Sequence, residues 1–293
     1  MLANLDNEVI FKKAFTDKIV FEEFVKDVVG IDFTVGTIET EKRFSPKLAY
    51  VDFELDIFAE SLDERVIIEI QKIEYDHNFD RFLHYFLMAL AELQRNSKEY
   101  KIGKTVYTIV VLTAPYKVLD KMGNVVKNEV LIAELNPRNL KGDVIQLYGH
   151  KLIFLNIYYK DDETPQPLRD WMDLIRESIN NPNNPNINLQ KIGIQRANFL
   201  IDIDNLTPRE REKQKLAETA KVAIKVYQAA ATAEGLAKGL AEGEVKGIEK
   251  GVKKTKDGSI LKALKRGKLS VAEIAEDNEV TIEYVLTIQK DIK

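Results

Sequence analysis

The chain contains no cysteine and only three histidines in 293 residues. The missing cysteine excludes disulfide bonds, thiolate metal ligands and a cysteine nucleophile, and it fits a reducing compartment. So few histidines leave little room for histidine-rich zinc chemistry. Thiol chemistry is therefore excluded, and a zinc centre is disfavoured.

Long apolar segments are missing as well. Runs such as YTIVVL at residues 107–112 are far too short to cross a bilayer. The N-terminus is charged early and lacks the apolar segment of a signal peptide. We therefore expect a cytoplasmic protein without a membrane partner.

A strong excess of one charge is the third missing feature. The formal net charge is −4, with 31% charged and 45% hydrophobic residues, an ordinary composition for a folded protein of one or two domains. The chain is thus not a polycation that would coat nucleic acid. Any contact with DNA must use local basic patches, and its strength should depend on salt.

The apolar pattern predicts a mixed α/β core. Apolar positions at helical spacing predict helices over residues 7–29, 76–98 and 165–179. Alternating or continuous apolar runs predict strands over residues 33–40, 51–58, 66–71, 104–112, 130–135 and 152–158. The strand at 104–112 is nearly all apolar, so we expect it in the centre of the sheet, parallel to 66–71 through a right-handed crossover.

Composition divides the chain into four segments. They are an α/β domain (1–180), an Asn/Pro-rich linker (181–207), an Ala/Gly/Lys/Glu-rich helical segment (208–256) and a small helix-turn-helix-like region (257–293). In the helical segment, glycines recur four apart at 235, 239, 243, 247 and 251. Each costs a helix about 1 kcal/mol relative to alanine. The repeat is a flexible linker, a surface for close approach of a partner helix in a homo-oligomer, or a neutral expansion.

The last segment has a local excess of positive charge. Residues 250–268 hold eight basic residues and one acid, a local charge of +7. The stretch SVAEIA at 270–275, a turn at Asn278 and a second helix capped by Thr281 resemble a helix-turn-helix. This region either contacts DNA or forms a helical hairpin used for packing or dimerisation. Its second helix carries few side chains that read bases, which disfavours sequence-specific recognition.

Asp56, Glu69 and Gln71 form the constellation that suits chemistry. Glu69 and Gln71 lie two apart on one predicted strand, so they point to the same face, and a short turn makes the strand of Asp56 its antiparallel neighbour. Two carboxylates suit Mg²⁺ or Mn²⁺, which keep waters and bind phosphate oxygens. Such a metal would polarise a scissile phosphate and activate water. Gln71 would orient that water or a phosphate oxygen, but it is neither a base nor a positive charge.

Spacing alone is a weak signal for this site. Two features strengthen it: Glu69 lies in an apolar run, where a carboxylate is costly without a partner, and a helix with Arg81 follows. Arg81 either pairs with Glu69 or binds phosphate. Asp52 and Glu54 share the polar face of the strand and are interpreted as solvated, with Asp52 as the alternative metal ligand. Tyr85, Phe86 and Trp171 are predicted to be core residues.

The block EIQKIEYDHNFDRFLHYFLMALAELQ, preceded by VDFELDIFAE, resembles the PD-(D/E)XK nuclease superfamily. Within it, the chain is similar over about residues 5–180 to the recombination-promoting nucleases, often labelled putative transposases. The family's Asp…Glu-x-Gln signature falls on Asp56, Glu69 and Gln71, and its Arg-x-x-Tyr helix motif on Arg81 and Tyr85.

Further positions in the helix and near the N-terminus match the family. Gln94 matches a later helix glutamine, and Phe11, Lys12 and Phe15 match an N-terminal Phe-Lys-x-x-Phe element. The acidic residue expected before that element is Glu8, which the resemblance makes a further candidate metal ligand.

The resemblance implies a restriction-endonuclease-like core, a mixed central sheet flanked by helices, with a helical C-terminal tail. It also implies a Mg²⁺- or Mn²⁺-dependent DNA endonuclease linked to recombination or mobile elements. The superfamily's usual third residue is lysine, and here it is Gln71. Arg81 and Lys47, with Gln94, are candidates for binding the substrate phosphate. The alternative is a catalytically weak module that binds nucleic acid or serves assembly.

Overall fold

The structure is a computed structural model that describes residues 1–44, 53–71, 78–94, 102–114 and 118–290. The chain forms two compact units, Met1–Glu218 and Thr219–Lys293.

In the first unit, the described residues form a six-stranded sheet with flanking helices. The strands are β1 (Ile38–Phe44), β2 (Phe53–Glu60), β3 (Glu64–Gln71), β4 (Thr105–Leu112), β5 (Val130–Leu135) and β6 (His150–Asn156). The helices are α1 (Glu8–Phe15), α2 (Lys18–Val29), α3 (Asn78–Ala91), α4 (Gln166–Asn180) and α5 (Ile192–Ile201), followed by the start of α6 (Pro208–Arg266).

The sheet is mixed, as predicted. Its strand order is β1-β2-β3-β4-β6-β5. The first three strands are antiparallel neighbours, β4 pairs in parallel with both β3 and β6, and β5 closes the edge antiparallel to β6. The central position of β4 and its parallel pairing with β3 confirm two predictions from the apolar pattern.

Alternation along the strands divides the core between the two faces of the sheet. Ile68 and Ile109 belong to the larger cluster, which includes side chains of α1, α2, α4 and α5 around the fully buried Trp171. Ile67 and Val110 belong to a second cluster with α3. Phe82 and Phe86 are buried there, and Tyr85 packs against them. The predicted core positions of Trp171 and Phe86 are confirmed, and Tyr85 is partly buried at the edge of the second cluster.

Two predicted boundaries in the N-terminal region were wrong. The single helix expected over residues 7–29 is two helices, because the Asp17 carboxylate accepts hydrogen bonds from the N–H groups of Ile19 and Val20 and begins α2 as an N-cap. The strand expected over 33–40 begins only at Ile38. Its apolar residues Phe33 and Val35 are buried in the core without belonging to a strand.

Helix α5 lies within the segment that composition predicted as a linker. Its side chains Ile194, Ala197 and Ile201 are fully buried in the larger cluster. Gly193 lies so close to the core that a Cβ atom there would be 2.9 Å from Cζ2 of Trp171 and 2.7 Å from Cβ of Glu23. This helix is therefore part of the first unit.

Replacing Gly193 with alanine is expected to destabilise the first unit by about 1–3 kcal/mol, because the added methyl group overpacks the contact with Trp171. Gly247 in α6 is the matched control, since a Cβ there would meet nothing within 4 Å. Gly247→Ala should instead favour the helix by about 0.5–1 kcal/mol. Urea unfolding and helical circular dichroism measure the two effects. A Gly193→Ala protein as stable as wild type would contradict the close packing of α5.

The second unit contains α6 from Thr219 onward, then α7 (Val271–Asp277) and α8 (Ile282–Lys290). Its small core contains Ile260, Ile274, Ala275 and Val285. Ser270 and Glu273 form a reciprocal capping box at α7. Thr281 Oγ1 accepts the N–H of Tyr284 at 3.2 Å, so the predicted cap of the last helix is confirmed.

Helix α6 continues through the glycine repeat without interruption. Among the helices of the described residues, none combines the length and apolar character needed to cross a bilayer.

Candidate functional site

The carboxylates of Asp56 and Glu69 meet across β2 and β3. The ladder of these strands is formed by four pairs, from Ile57 opposite Ile68 to Glu60 opposite Arg65. Just beyond it, the N–H of Asp56 donates to Glu69 Oε1 at 3.0 Å, and the N–H of Ile70 donates to Asp56 Oδ2 at 2.9 Å. The two side chains therefore connect β2 and β3 beyond the last backbone pair. The antiparallel pairing of these strands is the one that the short turn between them predicted.

Strand β2 is irregular at Asp56. Residues two apart on a regular strand face the same side, yet Leu55 packs in the α3 cluster and Ile57 in the larger one. On the neighbouring strand β1, Glu41 adopts a φ of 56°, in the left-handed region that glutamate rarely occupies.

The carboxylates of Glu41, Asp56 and Glu69 lie in a row across β1, β2 and β3. The register places Thr40 opposite Ile57 and Lys42 opposite Leu55, so Glu41 lies beside Asp56 on one side. Glu69 lies on its other side, joined by the hydrogen bond described above.

Burial shapes the electrostatics of this row. The pKa of Glu69 lies well above its ordinary value because the side chain is buried, only 4% of the residue being exposed, and because Asp56 is close. Burial also raises the pKa of Asp56, although the Ile70 N–H and the Lys12 ammonium oppose the shift. Negative charge on both groups is therefore unfavourable unless a cation is present.

Arg81 extends toward the site from near the start of α3. Its guanidinium donates a hydrogen bond to Gln71 Oε1, and its Cζ atom lies 4.5 Å from the centroid of the Phe82 ring. The buried Nε has no hydrogen-bond partner within the described part of the chain. The sequence left two roles open for Arg81, pairing with Glu69 or binding phosphate. The structure shows a hydrogen bond to Gln71 rather than to Glu69. The positive charge of Arg81 still opposes the rise in the pKa of Glu69.

Gln94 is not brought to this site. It follows the end of α3, close in sequence to Glu92, whose carboxylate pairs with Arg65 at 2.7 Å. Arg65 is six residues before Gln71 on β3, a separation of about 20 Å along a strand. Helix α3 thus runs the length of β3, and Gln94 lies at the other end from Arg81. Lys47 and Asp52 lie outside the described residues.

Lys12 is a site residue that sequence reasoning matched to a motif but did not place in the site. Its Nζ atom lies 2.5 Å from Glu8 Oε1, 3.4 Å from Glu41 Oε1 and 3.7 Å from Asp56 Oδ1. The available signal was its position between the buried Phe11 and Phe15, four residues after Glu8. Glu8 shares this lysine with Asp56, its charge contributes to the raised pKa of Asp56, and its side chain is half-exposed.

The residues present fit a hydrated divalent cation. Carboxylate oxygens are the donors that Mg²⁺ and Mn²⁺ prefer, and Mg²⁺ typically takes one or two protein carboxylates while keeping waters and binding substrate oxygens. Asp56 and Glu69 supply two, each with one oxygen held by a backbone N–H. Within the described ranges, no group of three or more acidic or histidine side chains is arranged to enclose a metal. A complete cage of protein ligands is therefore not formed by these residues.

Charge in the second unit is divided between its helices. The basic residues between 250 and 268 lie on the last part of α6 and directly after it, and most of them are exposed. Residues 271–290, which form α7 and α8, hold five acids and one base. Helix α7 holds three of these acids, whereas α8 holds one acid and one base, Glu283 and Lys290. Because acidic groups repel phosphates, the basic end of α6 is the part of this unit whose charge suits a contact with DNA.

A mixed six-stranded sheet flanked by helices is consistent with a nuclease fold of the PD-(D/E)XK class. The sequence model of one family, described as PD-(D/E)XK nuclease family transposase, matches residues 7–230, and the chain belongs to this family. A search of curated proteins and a search of solved structures found no match. The family membership confirms the fold that the motifs implied, and it indicates a nuclease.

Proposed function

We propose that this protein is a Mg²⁺- or Mn²⁺-dependent DNA endonuclease that hydrolyses phosphodiester bonds. The observation that carries the proposal is the reciprocal link between Asp56 and Glu69, two carboxylates held at fixed positions and destabilised as anions by burial. In a family of nucleases that generally use divalent metals, this pair is the natural place for the metal.

Each side chain has a separate role in the proposed reaction. Asp56 and Glu69 would hold the metal, with Glu8 or Asp52 as candidates for a further ligand. A bound divalent cation would polarise the scissile phosphate and supply an activated water for in-line attack. Gln71 would orient that water or a phosphate oxygen through its amide. Arg81, already bound to Gln71, would bring a positive charge toward the phosphate.

A second candidate function is a nucleic-acid-binding or assembly module with weak chemistry. The observation in its favour is Gln71, which carries no charge at the position of the usual lysine and whose amide oxygen is occupied by Arg81. Self-association through the glycine-bearing helix α6 is a separate proposal, which the molar mass in solution would test.

Nicking of supercoiled plasmid tests the proposed function. We expect wild type to nick DNA with Mg²⁺ or Mn²⁺ and to stop when EDTA is added. Asp56→Ala and Glu69→Ala should each nick about 100-fold more slowly or worse, because loss of a direct ligand should cost at least as much as loss of a ligand's supporting partner.

Glu54→Ala is the matched control for this assay. Glu54 is a carboxylate on the same strand as Asp56, but it is exposed and pairs with Arg43 at 2.6 Å. Its variant should nick like wild type. Equal nicking by wild type, Asp56→Ala and Glu69→Ala would refute the catalytic assignment. Absence of metal-dependent nicking by wild type would favour the second function.

A further inference from the structure

We propose that Lys12 supplies the positive charge that this site lacks at Gln71, and that its ammonium binds a non-bridging oxygen of the scissile phosphate. The inference rests on the proposed function, because it assigns a substrate contact within the same site. Lys12 comes from α1, far in sequence from the strand that usually carries the motif lysine.

Position is the first argument. The side chain of Lys12 is only 12% exposed, and its Nζ atom lies among the carboxylates of Glu8, Glu41 and Asp56. Only the contact with Glu8 is short. The distance of 3.7 Å to Asp56 Oδ1 is that of an ion pair and exceeds that of an ordinary hydrogen bond, so the ammonium is held only loosely by the proposed metal ligand.

The base of this side chain is held firmly. Phe11 and Phe15, on either side of Lys12, are fully buried, with ring centroids 4.2 Å apart. The Lys12 carbonyl accepts hydrogen bonds from both the N–H and the Oγ1 of Thr16, at 3.0 and 2.7 Å. The lysine therefore extends from a fixed backbone, and only its own bonds need to rotate for Nζ to move from the carboxylates to a phosphate.

Charge gives the proposal a distinctive signature. A cation bound by Asp56 would repel the Lys12 ammonium, whereas a phosphate would attract it. Neutralising Lys12 should therefore strengthen metal binding and weaken DNA binding at the same time. A lysine that only stabilised α1 through its pair with Glu8 would not change the two affinities in opposite directions.

Lys13 provides a matched control on the same helix. Its side chain is similarly buried, at 17% exposure, but its Nζ atom pairs with Glu210 Oε2 at 2.8 Å and donates to the Asn205 carbonyl at 3.0 Å. It makes these contacts away from the carboxylate row. Lys13→Gln removes the same charge from the same helix and should leave both affinities unchanged.

The test uses the full chain with Lys12→Gln, Lys12→Met, Lys12→Arg and Lys13→Gln. Calorimetry with Ca²⁺ alone measures metal affinity, anisotropy of labelled duplex DNA measures DNA affinity, and plasmid nicking with Mg²⁺ measures activity. For the two neutral Lys12 variants we expect Ca²⁺ affinity about three- to tenfold higher. DNA affinity should be about tenfold lower or worse, as for a lost hydrogen bond to a charged group. Nicking should fall about 100-fold, and Lys12→Arg should recover most of the DNA affinity.

Several outcomes would overturn the proposal. They are neutral Lys12 variants that bind DNA like wild type, parallel losses of metal and DNA affinity, or Gln and Met variants that both fail to fold while Lys13→Gln folds. If wild type nicks DNA and the neutral variants nick equally well, this inference fails alone. If wild type does not nick, the proposed function fails, and the DNA-affinity measurements still decide the role of Lys12.

Discussion

Replacing Glu69 with glutamine should make the protein more stable and, at the same time, reduce DNA cleavage about 100-fold or more. Glutamine has nearly the same shape, and its Oε1 can still accept the N–H of Asp56, which keeps the cross-strand link. It removes a charge from a side chain that is only 4% exposed, where an anion is costly. It also removes a negatively charged metal ligand, which is the source of the activity loss.

The gain in stability should depend on pH. Because burial and the nearby Asp56 raise the pKa of Glu69 above 4.5, the folded state holds this proton more tightly than the unfolded chain. The stability that this provides to wild type is fully present below the unfolded pKa and is lost as pH rises through the folded pKa. Urea unfolding in EDTA should therefore show the advantage of Glu69→Gln growing as pH increases above about 4.5.

Added Mg²⁺ supplies the control for this prediction. A cation that binds only the folded state stabilises it. Mg²⁺ should therefore stabilise wild type and not Glu69→Gln, and it should narrow the difference between their free energies of unfolding. Two results would count against the argument. One is wild type as stable as the variant at every pH, and the other is a variant that still cuts DNA at the wild-type rate.

The parts of the fold that sequence predicted are those set by local periodicity. Alternation over 51–58, the β-branched run at 66–71 and the apolar run at 104–112 correspond to β2, β3 and β4, because burial on a sheet imposes a period of two or a continuous apolar segment. Helix α5 could not be found in this way. It follows an Asn/Pro-rich stretch, and its N-cap residue Lys191 makes no side-chain capping bond. Packing against Trp171 stabilises it instead.

Within the site, predictability followed the distance along the chain. The strands of Asp56 and Glu69 are joined by a turn of few residues, so their antiparallel pairing could be predicted from the sequence, while the choice of these two carboxylates rested on the family resemblance. Lys12 is 44 residues before Asp56, and the contact depends on how α1 packs against the sheet, which no local pattern encodes. For Gln94 the motif predicted a position on the helix, whereas the structure places it after the end of α3, at the other end of β3 from Arg81.

The largest loss of stability is expected when Arg176 is replaced with methionine. Arg176 on α4 pairs through its guanidinium with Glu129, which is 2% exposed, at 3.1 Å. Glu129 also accepts hydrogen bonds from the Asp161 N–H at 3.0 Å and from Thr164 Oγ1 at 2.9 Å. Removing the arginine leaves a buried carboxylate without its cation, so Arg176→Met should lower the free energy of unfolding by about 3–5 kcal/mol.

A second substitution separates the buried charge from lost packing. Glu129→Gln combined with Arg176→Met removes both charges and should recover most of the loss, because the amide keeps an acceptor for Asp161 and Thr164. Arg169→Met is the matched control, since Arg169 donates to the carbonyls of Asp161, Asp162 and Thr164. Urea unfolding of the four proteins measures all the differences. If Arg169→Met cost as much as Arg176→Met, or the double variant recovered nothing, the stabilising effect of Arg176 would lie in its packing and not in its pair with Glu129.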